Sequence, residues 1–148
     1  MAPLELSTEG LQELFAGLEL LDRGQTTAGK RFLLRRLLDG PAGPLLERWL
    51  MWTFDPAYRY PWALPPLETF ERQDAGIEWM MAWRVLERVL DDLRSGALPV
   101  AKAQRKLLYL LERAPAGMRR WIWRLLHQRL SPGVERETID SLTPGLLP

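Results

Sequence analysis

The 148-residue chain contains no cysteine, no asparagine and a single histidine, His127. The absence of cysteine excludes a disulfide framework, a thiolate zinc site and a cysteine nucleophile. No apolar run approaches the roughly 20 residues that cross a bilayer, and the first residues lack the basic-then-apolar layout of a signal peptide. We therefore expect a cytoplasmic protein without a membrane partner.

Sequence motifs of catalysis are missing as well. There is no glycine-rich phosphate loop, no Lys-x-Asp-Gly nucleotidyl-transfer motif and no metal-ligand spacing. Asp91 and Asp92 are adjacent, but neighbouring residues of a helix do not face one another. His127 is expected near the end of a helix, where a partly charged imidazole is favourable. We therefore expect no catalytic residue, no metal site and no cofactor.

The basic residues are unevenly distributed. The formal net charge is only +1, yet the segment from Arg94 to Arg129 has nine basic residues and one acid, Glu112, which gives 9 − 1 = +8. The segment from Arg23 to Arg36 has five basic residues and no acid. Local charge sets the local field, so both segments favour a polyanionic partner, although many basic helix faces are simply solvated. Seventeen Arg against three Lys, with 12 Pro, is typical of a thermophile or a GC-rich genome.

The spacing of apolar residues predicts an all-α fold of about six to seven helices in one compact domain, residues 1–148. In the second helix we expect Phe32, Leu33, Leu37 and Leu38 to point inward, and in the fourth Met80 and Met81. The segment 55–66 is rich in prolines and aromatics and predicts an ordered, non-helical connection. The expected helices cover about 9–21, 27–38, 44–52, 77–95, 99–113, 115–130 and 135–142.

Matching residues recur at a constant offset of 72, for example 96 − 24 = 72 for Gly24 and Gly96. Such a period predicts two related three-helix units, which we expect to pack with pseudo-twofold symmetry. Each unit would then place a glycine turn before a lysine-bearing helix start. The pairs at this offset include Leu21 with Leu93, Lys30 with Lys102, Leu38 with Leu110, Arg48 with Arg120, and Trp49 with Trp121.

Three turns that open helices are candidates for phosphate binding. Small residues let backbone N–H groups approach a phosphate, while hydroxyls and cations add donors. The candidate residues are Thr26, Thr27, Gly29, Lys30 and Arg31 in the first turn, Ser95, Gly96, Lys102 and Arg105 in the second, and Arg129, Ser131, Gly133, Arg136 and Thr138 in the third.

The end of the chain carries a turn, Leu130-Ser131-Pro132-Gly133-Val134, then a short predicted helix, then Pro144-Gly145-Leu146-Leu147-Pro148. This order resembles the close of the N-terminal helical DNA-binding domain of phage-type ATP-dependent DNA ligases. That family has a Leu-x-x-Gly-Val turn, a short helix and Pro-Gly-Leu-Ile-Pro, so Leu147 stands where isoleucine is usual. The segments Leu46–Leu50 and Phe54–Pro56 also resemble the third helix of that domain.

The resemblance implies a non-catalytic domain that grips nicked duplex DNA from the minor-groove side, chiefly through phosphates and with little sequence preference. It implies DNA contacts by the three turns and a role in DNA replication and repair, as a monomer in a bacterial, archaeal or phage-infected cell. The chain has no adenylation or OB domain, so a ligase catalytic domain is expected in cis if the chain is a fragment. Both a fragment and a free-standing relative stay open.

Two other functions are compatible with the composition. A helical protein–protein interaction adaptor would dock its partner on an exposed aromatic patch within residues 55–66. A small helical enzyme would need a cleft with paired acids, for which the sequence offers no candidates.

Overall fold

The computed structural model describes residues 6–23, 26–55, 58, 64–71, 76–127 and 136–146. Within these ranges all regular secondary structure is α-helix, which confirms the expected all-α fold. None of the helices in the described part is long and apolar enough to span a membrane. The helices are α1 (Thr8–Asp22), α2 (Thr27–Asp39), α3 (Gly43–Phe54), α4 (Glu68–Glu71), α5 (Trp79–Ser95), α6 (Val100–Arg113), α7 (Ala116–Leu126) and α8 (Arg136–Leu142).

The chain divides into two compact units. The first comprises Met1–Asp55 with Leu130–Pro148, and the second comprises Pro56–Arg129. The single domain expected over residues 1–148 therefore stays a prediction.

In the first unit, α1, α2 and α3 pack against one another. Helix α1 begins where the Ser7 hydroxyl accepts a hydrogen bond from the N–H of Gly10 at 3.0 Å, which satisfies one of the free donors of the first turn. The ring of Phe15 meets that of Trp49 edge-on at 5.2 Å, and both residues are buried. Aromatic packing between α1 and α3 thus forms the centre of this core.

In the second unit, α5 and α6 form the main packed pair. Helix α5 ends at Gly96, whose φ of 79° is a left-handed conformation that glycine adopts at little cost. The described part of the proline-rich connection is fixed by α7, because the indole Nε1 of Trp123 donates to the carbonyl of Pro65 at 2.9 Å.

The helix bounds follow the sequence repeat. Helices α1, α2 and α3 correspond in order to α5, α6 and α7; shifted by 72, the end of α1 at Asp22 falls at 94, and α5 ends at Ser95. In the first and third helices of each unit, which we call the outer helices, buried residues match at an offset of 72 residues. The pairs are Leu14 with Leu86, Leu18 with Leu90, Trp49 with Trp121, and Leu50 with Ile122.

In the middle helices of the repeat, α2 and α6, buried residues match at a different offset. Leu34 and Leu107 are both buried, as are Leu37 and Leu110, and 107 − 34 and 110 − 37 both equal 73. The connections before α2 and before α6, residues 23–26 and 96–99, are equally long, so the change of offset does not arise there. Lys30 and Lys102 are therefore not equivalent in burial: Lys30 is half-buried and Lys102 is exposed.

Two side chains expected in the core are exposed. Phe32 is 66% exposed and Met81 is 48% exposed, while Leu34, not expected in the core, is buried. The run Phe32–Leu34 followed by Leu37 and Leu38 offers several helical registers, and tertiary packing selects the one that buries Leu34 and Leu37. Helix α4 was also not expected, and α7 ends at Leu126 rather than at residue 130.

Candidate nucleic-acid interface

Among the described residues, helix α6 carries the largest group of exposed cations without an ion pair to a carboxylate. Lys102, Arg105 and Lys106 are all exposed, and a spacing of three to four residues places them on one side of the helix. Among the described residues, no carboxylate forms an ion pair with any of the three. We call these three residues the α6 basic face; they lie within about 6 Å along the helix axis.

The opposite face of α6 fixes how these cations are presented. Ala103, Leu107, Leu110 and Leu111 are fully buried, and the helix packs against α5. An amphipathic helix anchored in this way cannot rotate about its axis without exposing its apolar stripe. The α6 basic face is therefore held toward solvent by the core of its own unit.

Helix α6 also starts without a side-chain cap. Its N-cap is Pro99, which makes no capping hydrogen bond. The positive end of the helix dipole thus lies within one turn of Lys102, so the start of α6 and this cation attract anions together.

Two other residues predicted in this turn have structural roles. The Ser95 hydroxyl donates to the carbonyl of Asp92 at 3.2 Å, and the Gly96 N–H donates to the carbonyl of Leu93 at 3.3 Å. The N–H of Leu98 also donates to Asp92, at 3.2 Å. These three donors are used at the end of α5, so they are not free to bind a phosphate, while Lys102 and Arg105 on α6 are exposed.

The ring of Tyr109 extends the exposed surface of α6. Tyr109 is 53% exposed and lies three residues after Lys106, on the same side of the helix. The guanidinium of Arg113 covers its ring at 3.8 Å from the centroid. Sequence reasoning missed both Lys106 and Tyr109 as site residues, although the four-residue spacing of Lys102 and Lys106 would have identified the lysine.

The first predicted turn caps helix α2. The Thr26 hydroxyl accepts from the N–H of Gly29 at 3.1 Å, and the N–H of Lys30 donates to the Thr26 carbonyl at 2.8 Å. Thr27 and Arg31 are exposed, whereas Lys30 is half-buried. Part of the donor set expected for a phosphate is thus used within the helix, and residues 24 and 25 lie outside the described ranges.

Further along, α2 has a second exposed basic surface that is partly neutralised. Arg31, Arg35 and Arg36 are exposed, but Nε of Arg35 lies 3.3 Å from the carboxylate of Asp39. The ion pair lowers the positive potential at the end of this helix.

The third predicted turn is only partly described. Arg129, Ser131 and Gly133 lie outside the described residues. Arg136 begins the seven-residue helix α8, and its Nε lies 3.7 Å from the carboxylate of Asp140. Thr138 is half-buried, and its carbonyl accepts from the hydroxyl of Ser141 at 2.8 Å.

Two arginines in the basic segment are not available to a partner. Arg119 is 4% exposed and Arg124 is 7% exposed. Arg119 donates to the carbonyls of Phe70 at 2.8 Å and Ala114 at 2.9 Å, while the guanidinium of Arg124 lies 4.5 Å from the ring centroid of Trp121. The excess of +8 counted along the sequence therefore overstates the accessible charge, which is concentrated on α6.

An interaction adaptor would dock its partner on residues 55–66, and few residues of this segment lie in the described part of the chain. Tyr58 is buried at 3% exposure, with the guanidinium of Arg94 5.2 Å from its ring centroid. The rings of Tyr60 and Trp62 lie outside the described residues. Tyr58 thus packs within its own unit and offers no docking surface.

The described residues contain no group of three or more His, Cys, Asp or Glu side chains that could hold a metal ion. His127 caps the end of α7, with its ring 3.8 Å from that of Trp123. No protein-family model, curated protein or solved structure matches the chain. A functional assignment therefore depends on the side chains themselves.

Proposed function

We propose that the chain is a non-catalytic module that binds double-stranded DNA, nicked DNA included, through its phosphate backbone and with little sequence preference. The α6 basic face carries this proposal, since its three exposed cations have no carboxylate partner in the described part of the chain and lie beside an uncapped helix start. Lysine and arginine so placed bind phosphates, which are the same in every sequence. Arg31 and Arg36 of α2 are further exposed cations, in the first unit.

The resemblance to the helical domain of ATP-dependent DNA ligases supports the same function and adds an approach from the minor-groove side. With it, the proposal includes a monomer acting in the cytoplasm in DNA replication or repair. It also includes an adenylation domain in cis if the chain belongs to a ligase. Neither ligation nor nucleotide binding is expected of the chain alone.

The expected salt dependence of DNA binding follows from counterion release. Each phosphate neutralised by a protein cation changes the slope of log affinity against log salt by about −0.9 on duplex DNA. Three contacts from α6 predict a slope of about −2.7.

The test is fluorescence anisotropy of a labelled nicked duplex, the intact duplex and a single strand, titrated across salt. The double variant Lys102→Glu/Lys106→Glu should reduce the slope by about 2 and the affinity by at least about tenfold. The matched control is Arg84→Glu/Arg88→Glu on α5, which reverses two exposed charges in the same unit and should change affinity less than about twofold.

Equal losses in both double variants would show that only net charge matters and would contradict a site on α6. Affinity that does not change with salt would contradict phosphate binding altogether. No binding even at low salt would favour the interaction adaptor instead.

A further inference from the structure

We propose that the exposed ring of Tyr109 stacks on an unpaired base, so that α6 binds DNA where a duplex meets a single-stranded stretch, as at a gap or an overhang. This inference rests on the proposed DNA binding by the α6 basic face. It adds a preferred DNA structure that phosphate contacts alone would not give.

The ring of Tyr109 is held in place by its neighbours. The Arg113 guanidinium lies 3.8 Å from the ring centroid and is itself fixed by the Glu112 carboxylate, with Nη1 and Oε2 3.1 Å apart. The N–H of Gly76 donates to the Arg113 carbonyl at 2.9 Å. A side chain held before binding loses less conformational entropy when a ligand stacks on it.

Close packing at Gly76 further restricts Arg113. A Cβ at position 76 would lie 3.2 Å from Cγ of Arg113, so the arginine stem runs directly against the glycine backbone. Because its charge is paired with Glu112, Arg113 is a poor phosphate ligand. Its guanidinium covers part of the tyrosine ring, and Tyr109 is still 53% exposed.

The position of the ring indicates a nucleic-acid base as its ligand. Tyr109 follows Arg105 by four residues and Lys106 by three, which is about 4.5 to 6 Å along the helix. A strand whose phosphates contact these cations would bring its next nucleotide to the ring. Aromatic side chains next to backbone-binding cations are the general means of binding single strands, because every base has a π face.

An intact duplex cannot use this contact, since its bases stack on one another. The ring should therefore contribute only where a base is unpaired. Phe32 provides a matched comparison: it is also exposed on a basic helix, at 66%, but among the described residues no aromatic or cationic group stacks on its ring.

The experiment compares, by anisotropy at fixed salt, a duplex with a three-nucleotide gap and the intact duplex of the same sequence. Tyr109→Leu should lose about five- to tenfold in affinity for the gapped duplex and less than about twofold for the intact one. Tyr109→Phe should keep the preference of the wild type, and Phe32→Leu should leave the ratio of the two affinities unchanged. Tyr109 is exposed, so these changes should not affect folding.

The outcomes separate this inference from the proposed function. Suppose that the wild type binds both duplexes with steep salt dependence, and that Tyr109→Leu either loses the same affinity for both or keeps its affinity for both. Base stacking is then overturned, while phosphate binding stands. If the wild type binds neither duplex, both proposals fail. A 2-aminopurine base in the gap gives an independent readout: its fluorescence should fall on binding to the wild type and not on binding to Tyr109→Leu.

Discussion

Replacing Arg119 by methionine should destabilise the second unit more than any other single loss of an arginine in the described chain. Arg119 is 4% exposed and donates to the carbonyls of Phe70 at 2.8 Å and Ala114 at 2.9 Å. A longer contact reaches the carbonyl of Glu112 at 3.4 Å. Methionine fills much of the same volume but leaves these carbonyls without a donor, at a cost of about 1–3 kcal/mol for each buried group.

Two short hydrogen bonds thus give a loss of about 2–6 kcal/mol, and relief from burying a guanidinium offsets part of it. We expect the free energy of unfolding to fall by about 3 kcal/mol, a large fraction of the stability of an ordinary domain. Urea unfolding followed by tryptophan fluorescence measures this as a lower midpoint. Arg105→Met is the control, because Arg105 is exposed, and it should change stability by less than about 0.5 kcal/mol. A loss below about 1 kcal/mol for Arg119→Met, or equal losses in both variants, would refute the reasoning.

Three further changes, measured by the same unfolding assay, test the local structure. Gly43→Ala should cost about 2 kcal/mol or more, because its Cβ would overlap the carbonyl oxygen of Leu38, a backbone atom; an unchanged midpoint would contradict the tight turn between α2 and α3. Gly96→Ala should cost about 1 kcal/mol through its φ of 79° alone, since nothing lies within 4 Å of the added Cβ; a gain in stability would count against that conformation. Thr26→Ala should cost about 1 kcal/mol by removing the bond from Gly29, and Thr26→Ser, which keeps the acceptor, should restore most of it.

The helices were predictable because their ends carry local chemistry. Ser7 caps α1 through the N–H of Gly10, and Gly96 ends α5 in the left-handed conformation. Both features involve residues within three positions of each other, which a sequence displays directly. Apolar periodicity then predicted the all-α fold that the described residues show.

The exposed surface was less predictable, because it depends on distant contacts. Arg119 reads as one more cation in a basic segment, yet its partner Phe70 is 49 residues away. Arg113, which covers the ring of Tyr109, also contacts Gly76, which lies 37 residues earlier in the chain (113 − 76 = 37). Charge and periodicity identified helix α6 as a candidate for phosphate binding. Only the packing of the structure shows which basic residues in and around this helix are exposed.

The change of offset in the middle helices bears on how the two units divide the proposed function. A shift of one residue turns a position by about 100° around a helix, and accordingly Lys30 is half-buried where Lys102 is exposed. In α2 the basic surface also includes the ion pair of Arg35 with Asp39, whereas the α6 basic face has no carboxylate partner among the described residues. A repeat in sequence therefore does not make equivalent sites: buried positions of the outer helices are shared, while in the described part of the chain the exposed cations of the middle helices differ. Phosphate binding in this chain should accordingly depend more on α6 than on α2.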